Sequence, residues 1–444
     1  MSDLLIQPIS AAFSVKMSPP GSKSLTNRAL VLAALGKGVS ELTNVLFADD
    51  TLVMLDNLGR LGLALEIDRA ANTVRIEGQA GEIPATTAEL FCGNSGTTIR
   101  FLTALCSLGR GTFTLDGVPR MRQRPIGPLA DLLRNLGVRI TYSQSDGFPP
   151  VTVLADRLPG GRCRFGSSTS SQFLSAMLQV APYARHEVRI DLDSPQTSWP
   201  YVAMTMRLMD EFGHTPELIR DRDTGDPKQI IIPTGVYSAT KYAIEPDASN
   251  ASYFLAAAAI HPGATLTIEG LGKHSLQGDV GFADVLRKMG AAVSVAPDSI
   301  TITGPAALKG IDVNLAAMPD TAQTLAVTAL FAKGETTIRG LHTLRVKETD
   351  RIAALAAELA KLGAQVNVEG DDLTIVAPES IRPASIATYD DHRMAMSFAL
   401  AGTKSPGVVI QDPACVNKTY PNYFEDLAKL SSGNARDTRQ PRSG

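Results

Sequence analysis

Seven basic residues sit where the sequence pattern would let them grip anions: Lys23, Arg28, Arg124, Lys347, Arg351, Arg393 and Lys418. They fall in four segments. In PPGSKSLTNR (19–28), Lys23 and Arg28 open a predicted helix, with Ser24 as a hydroxyl donor. RMRQRP (120–125) brings Arg124 and follows GNSGTTIR (93–100), where Gly93 and Gly96 let backbone approach a ligand closely. Arginine can offer a carboxylate or phosphate two parallel hydrogen bonds. RVKETDR (345–351) adds Lys347, Glu348 and Arg351, with Asp320 upstream at another helix start, and DDHR (390–393) precedes Lys418. Each segment also has a plain structural reading: a capped helix, a solvated basic loop, or an exposed face laced with weak ion pairs. Taken singly, both readings stand. A nucleotide-binding Walker A loop does not fit the first segment, because only Ser22 separates Gly21 from Lys23 and the GxxxxGK[ST] spacing fails.

Bulk properties require any anion site to be local. The 444 residues carry a formal charge of −3, so no global basic field points to nucleic acid or an acidic membrane. Apolar content of 44% and charged content of 20% describe an ordinary globular protein of two or three domains. The start, MSDLLIQPIS, does not read as a signal peptide, and apolar runs such as 253–260 fall short of the roughly 20 residues that a membrane helix needs. Cys92, Cys106, Cys163 and Cys415 are scattered, which suits buried free thiols in a reducing cytoplasm. The six histidines form no cluster either, so neither metal nor cofactor is expected.

The elements that must position these residues repeat along the chain. A small-residue helix, a Gly turn, a β-rich strand, a polar loop, a second helix and further strand recur. The Gly turns stand at Gly38, Gly111, Gly263, Gly334 and Gly407, with a degenerate copy near Arg185. The first helices are apolar nearly all round (ALVLAAL, FLTALCSL, FLSAMLQV, YFLAAAAI, TLAVTALFA, MAMSFALA), which marks them as buried. Their starts are rich in cap-forming residues. The unpaired N–H groups and positive dipole end of such a helix make an anion seat. The sixth repeat lacks its last strand, and the strand-like stretch 4–17 is free to fill that place. Three repeats then form an inserted domain, 21–240. The other three, with 1–20, form a discontinuous domain over 241–432, and 433–444 reads as a disordered tail.

Together these segments resemble the 5-enolpyruvylshikimate-3-phosphate synthase family, the 3-phosphoshikimate 1-carboxyvinyltransferases. PGSKSLTNRAL, GNSGTTIR, RMRQRPIG, SSQFL, RVKETDR, DHRMAM and NKTYPNYFEDL resemble that family in the same order, over about residues 7 to 430. The resemblance implies an α/β fold of two domains, each of three βαβαββ repeats in an inverse α/β barrel, with the active site in the interdomain cleft. It implies that shikimate 3-phosphate is held by Lys23, Ser24, Arg28, Ser170, Ser171, Gln172, Ser198, Tyr201, Asp320, Thr343 and Lys347. It assigns phosphoenolpyruvate to Lys23, Asn94, Gly96, Arg124, Gln172, Arg351, His392, Arg393 and Lys418. It also implies a cytoplasmic monomer without cofactor, with no nucleic-acid or membrane partner, and with glyphosate as inhibitor at the phosphoenolpyruvate site.

The implied chemistry accounts for the residue types. The two substrates together bring about six negative charges near neutral pH, which the seven cations offset. Adding the 5-hydroxyl to the enol carbon needs a base, protonating the methylene needs an acid, and the departing phosphate needs a cation. Asp320, Glu348 and Lys23 are the candidates for those three roles. Departures from the family pattern are Ser95 for the usual Ala, Phe101 for Pro, Trp199 where Lys is frequent, and Thr343 where Asn is frequent. The competing readings are enolpyruvyl transfer to UDP-N-acetylglucosamine and a non-catalytic six-repeat scaffold. GSKSLTNR, RVKETDR and the lack of an evident catalytic-loop Cys speak against the first. The presence of both Asp320 and Glu348 speaks against the second.

Overall fold

The computed structural model describes residues 3–166 and 168–432. The tail 433–444, read from the sequence as disordered, lies outside the described residues. The α-helices of the 21–244 segment are α1 Lys23–Leu35, α2 Asp49–Arg60, α3 Gly96–Cys106, α4 Gly127–Asn135, α5 Gln172–Val180 and α6 Trp199–Glu211. They continue with α7 Ala248–Ile260, α8 Phe282–Lys288, α9 Ala322–Thr328, α10 Arg351–Lys361, α11 His392–Lys404 and α12 Tyr423–Ser432.

The odd-numbered helices are the buried ones. Every residue of α3 and of α7 is buried, as is α1 from Leu25 to its end. Their Ala, Ser and Thr content lets neighbouring backbones come close without leaving voids. The even-numbered helices are amphipathic. Helix α10 buries Ile352, Leu355 and Leu359, at the spacing of one helical face, while Lys361 reaches solvent.

A complete repeat runs strand, helix, strand, helix, strand, strand. In one example Thr87–Phe91 pairs parallel with Arg110–Asp116 across α3. Val151–Asp156 then pairs antiparallel with Arg110–Asp116, and Arg139–Tyr142 completes the edge. A parallel pair needs a long crossover, and the buried helix provides it. The start of the central strand depends on Gly111, its second residue, which has φ 139° and where a Cβ would meet the Thr86 carbonyl oxygen at 1.8 Å.

Contact density divides the chain into two compact units, one of 21–244 and one made of the described parts of 1–20 and 245–444. Strand Lys241–Ala243 pairs parallel with Lys37–Thr43 and supplies the first strand of the first repeat. Residues 241–244 therefore fold with the inserted unit, four residues past the boundary read from the sequence. In the other unit Ser14–Met17 pairs parallel with Thr265–Glu269, and Leu4–Leu5 lies antiparallel to Val408–Ile410 in the incomplete sixth repeat. Among the described residues no helix is long and apolar enough to cross a membrane.

Candidate active site

In the 21–244 unit the polar residues gather around the starts of α1, α2, α3 and α5. Ser22 caps α1, accepting from the Leu25 N–H, and places Lys23 in the first turn. Lys23 Nζ lies 3.1 Å from Asp50 Oδ2, on the first turn of α2. Ser95 caps α3, and the Thr98 hydroxyl donates to the Asp50 carbonyl at 3.1 Å, which fixes α3 against α2.

Arg124 lies across the start of α3. Its NH1 donates to the Asn94 carbonyl at 2.8 Å and to Asn94 Oδ1 at 3.1 Å. A Cβ on residue 96 would stand 2.5 Å from Arg124 NH2, so only Gly96 leaves the guanidinium in place. Arg124 Nε is buried without a hydrogen-bond partner. Arg28, 1% exposed, donates to Thr205 Oγ1 at 2.7 Å and to the Ser24 carbonyl at 2.9 Å. Its NH2 donates to Ser175 Oγ at 3.3 Å and to the Tyr201 carbonyl at 3.5 Å, and its carbon CZ lies 5.2 Å from the centroid of the Phe101 ring. Burial pulls its guanidinium below the ordinary value. Arg28 and Arg124 thus keep buried positive charge against neutral partners, an arrangement that an anion completes.

Gln172, at the start of α5, bridges two elements. Its Oε1 accepts from Arg100 NH1 at 2.6 Å, and its Nε2 donates to Thr97 Oγ1 at 3.3 Å. Ser170 Oγ accepts from the Gln172 N–H at 3.2 Å and from Arg100 NH1 at 3.4 Å. Arg100 in turn lies over the Phe173 ring at 4.7 Å.

The second cluster belongs to the other unit, around the starts of α9, α10 and α11. Asp320 receives three cations: Arg393 NH2 at 3.0 Å, Arg351 NH1 at 3.4 Å and Lys347 Nζ at 3.5 Å. Glu348 lies between Arg351 NH2 at 2.9 Å and Lys418 Nζ at 3.5 Å. Asp391 caps α11 and takes Arg351 Nε at 2.7 Å. Burial alone would lower the Arg351 guanidinium, but Asp391, Glu348 and Asp320 hold it above its ordinary value. The Tyr253 hydroxyl accepts from Arg393 NH1 at 3.2 Å. The His392 ring is fully buried, with Nδ1 3.7 Å from Asp391 Oδ1. Among the described residues no group of His, Cys, Asp and Glu could hold a metal ion.

Residues 8–427 match the family described as EPSP synthase (3-phosphoshikimate 1-carboxyvinyltransferase). The chain belongs to the EPSP synthase family. A 3-phosphoshikimate 1-carboxyvinyltransferase of Shewanella denitrificans is 45% identical over 97% of this chain and 99% of its own length. The chloroplastic enzyme of Brassica napus is 46% identical over 97% of this chain and 85% of its own length. An EPSP synthase structure from Acinetobacter baumannii superimposes with a TM-score of 0.80 at 27% identity, covering 97% of this chain and 98% of that one.

Of the ligands that the sequence reading assigned, this EPSP synthase family member joins Arg28 to Ser24 and Tyr201, Arg124 to Asn94 beside Gly96, and Gln172 to Ser170, while Lys23 reaches Asp50. In the other unit Asp320, Lys347, Glu348, Arg351, Arg393 and Lys418 form one ion-pair cluster, with His392 beside Asp391. Ser171 stands at the start of α5 without a side-chain capping bond. Ser198 precedes α6 in a left-handed conformation, φ 52°. The Thr343 hydroxyl is buried without a protein partner. The structure adds residues that the sequence reading did not select: Asp50, Arg100 and Asp391 orient the cations and Gln172, and Tyr253 steadies Arg393. Asp391 and Arg100 stand inside recognised motifs, as a capping residue and as an extra cation. Asp50 gave no signal beyond an acid in the first turn of a helix.

Proposed function

We propose that this chain transfers the enolpyruvyl group of phosphoenolpyruvate to the 5-hydroxyl of shikimate 3-phosphate and releases phosphate. The observation that carries this reading is the pairing of buried, anion-seeking guanidiniums at Arg28 and Arg124 with a second cluster in which Asp320 and Glu348 sit among four cations. Anion binding alone would need the cations but not the two carboxylates.

In the 21–244 unit, Ser24, Arg28, Ser170, Ser171, Ser198 and Tyr201 are assigned to shikimate 3-phosphate, and Asn94, Gly96 and Arg124 to phosphoenolpyruvate. Lys23 and Gln172 serve both. In the other unit, Lys347 and Thr343 serve the sugar phosphate, and Arg351, His392, Arg393 and Lys418 serve phosphoenolpyruvate. Asp320 takes the proton of the 5-hydroxyl as its oxygen bonds to carbon 2 of the enol, while a proton from Glu348 adds to carbon 3. The bond from carbon 2 to the phosphate oxygen then breaks, carbon 3 returns a proton to Glu348, the proton held by Asp320 leaves with the phosphate, and the double bond is restored on the acceptor. Lys23 stabilises the leaving phosphate. Three cations hold Asp320 in one orientation, which removes reorganisation from the step. The same reading gives a cytoplasmic monomer, with glyphosate competing for the phosphoenolpyruvate ligands. A phosphate-release assay with phosphoenolpyruvate tests it. Release is expected with shikimate 3-phosphate and not with UDP-N-acetylglucosamine, and the reverse preference would overturn the reading.

A further inference from the structure

Helix α10 carries one acidic residue, Glu358, and its carboxylate is buried and fully engaged. Glu358 follows Arg351 by two helical turns, so the two side chains share a face. Its fully buried carboxylate takes Lys361 Nζ at 2.7 and 2.8 Å, the Ala387 N–H at 3.1 Å and the Tyr389 hydroxyl at 2.7 Å. Arg351, at the start of the same helix, grips Asp391. One helix therefore fastens the segment 387–391 at both ends.

Between those two fastenings the backbone is strained. Tyr389 and Asp390 have φ 56° and 54°, consecutive left-handed conformations at residues with a Cβ. Such geometry persists only where the surroundings over-determine it. The residue that follows, Asp391, caps α11 by accepting from the Arg393 N–H at 2.9 Å, so the strained pair aims both the Asp391 carboxylate and the start of the helix. We infer that Glu358 is a positioning residue: with Tyr389 it latches the left-handed pair and so sets where Asp391, His392 and Arg393 stand. An ion pair with Lys361 alone would not explain the arrangement. Lys361 is half-exposed and could pair with an exposed acid, whereas this carboxylate is buried and spends two further bonds on residues 387 and 389. Burial, then the hydrogen bond to Glu358 and its charge, push the Tyr389 phenol up to about 12.

The inference rests on the assignment of His392 and Arg393 to phosphoenolpyruvate, and its test separates the two. Tyr389 is 43% exposed, so Tyr389→Phe removes one hydrogen bond and leaves the core intact. The latch predicts that KM for phosphoenolpyruvate rises about three- to tenfold, a part of the roughly ten- to hundredfold scale of a lost bond to a charged group because the loss acts only through positioning, with kcat within about twofold. KM for shikimate 3-phosphate should stay put, and amide exchange of the peptide 386–394 should quicken. Glu358→Gln should push the same quantities further in the same direction. A lower melting temperature with unchanged KM and unchanged exchange in Tyr389→Phe would overturn the latch. If the wild-type protein releases no phosphate from these substrates, the functional reading falls by itself, and the exchange rates alone decide: faster exchange upholds the latch, unchanged exchange rejects it.

Discussion

Arg351 donates to both oxygens of Asp391, Nε to Oδ2 at 2.7 Å and NH2 to Oδ1 at 3.2 Å, and both side chains are out of solvent. Removing Asp391 leaves the buried Arg351 Nε unmet and uncaps α11, while Glu348 and Asp320 still pair with the other guanidinium nitrogens. Asp391→Ala should cost about 2–4 kcal/mol of stability, the sum of an unsatisfied buried donor and a lost cap. Asp391→Asn keeps the shape and the capping oxygen and should cost less. Urea unfolding midpoints of the three proteins check this, and equal midpoints would count against it.

Gly96 and Arg124 give a sharper test of ligand geometry. A methyl group at 96 must displace the guanidinium, since it would lie 2.5 Å from NH2. If Arg124 holds phosphoenolpyruvate by charge-assisted bonds worth about 1.5–3 kcal/mol, Gly96→Ala should raise its KM about ten- to a hundredfold. KM for shikimate 3-phosphate should move far less. Steady-state kinetics with each substrate varied in turn would show an equal rise in both if the account is wrong.

The two carboxylates separate chemistry from binding. Asp320→Asn and Glu348→Gln should each lower turnover by roughly 10²–10⁴-fold, the scale of acid–base groups. Asp320→Asn also removes a negative charge from among three cations, so anion binding there should hold or tighten, whereas Glu348→Gln replaces a proton donor with another neutral group and should leave anion binding unchanged. Calorimetry with phosphoenolpyruvate, alongside single-turnover rates, measures both quantities. Loss of binding in step with turnover would reduce the pair to a structural role.

The four thiols report burial directly. Desolvation pushes all of them up, Cys163 and Cys415 to about 12 and Cys92 and Cys106 further still. A thiol with a raised value stays protonated at pH 8, and the thiolate is the reactive form. A chromogenic disulfide reagent should therefore find almost no reactive thiol in the native protein at pH 8, and four after unfolding. The folded state holds these protons longer than the unfolded one, so their contribution to stability is complete below about pH 8.5 and fades as pH climbs toward 12. Rapid labelling of Cys163 or Cys415 at pH 8 would contradict this.

What the sequence revealed followed the range of the interaction. The repeats were readable because Gly turns, alternating strands and all-apolar helices are local patterns. The strands that complete the first, fourth and sixth repeats pair with partners roughly 200 to 400 residues away, or across the start of the chain, and no local pattern specifies them. In the site, basic residues at helix starts stood out because a helix dipole does not favour cations there. Their carboxylate partners did not, because Asp50 and Asp391 are ordinary first-turn and capping residues in sequence. Phe101 shows the same limit. Its departure from Pro was visible, but its place beneath the Arg28 guanidinium depends on the packing of α1 against α3.

The most direct measurement of the central claim is the identity of the product. Incubate the protein with phosphoenolpyruvate and shikimate 3-phosphate, then quantify phosphate and resolve the organic products by mass and by phosphorus resonance. The account predicts one carboxyvinyl ether of shikimate 3-phosphate for every phosphate released. Phosphate without the ether, or an ether formed only on UDP-N-acetylglucosamine, would contradict it.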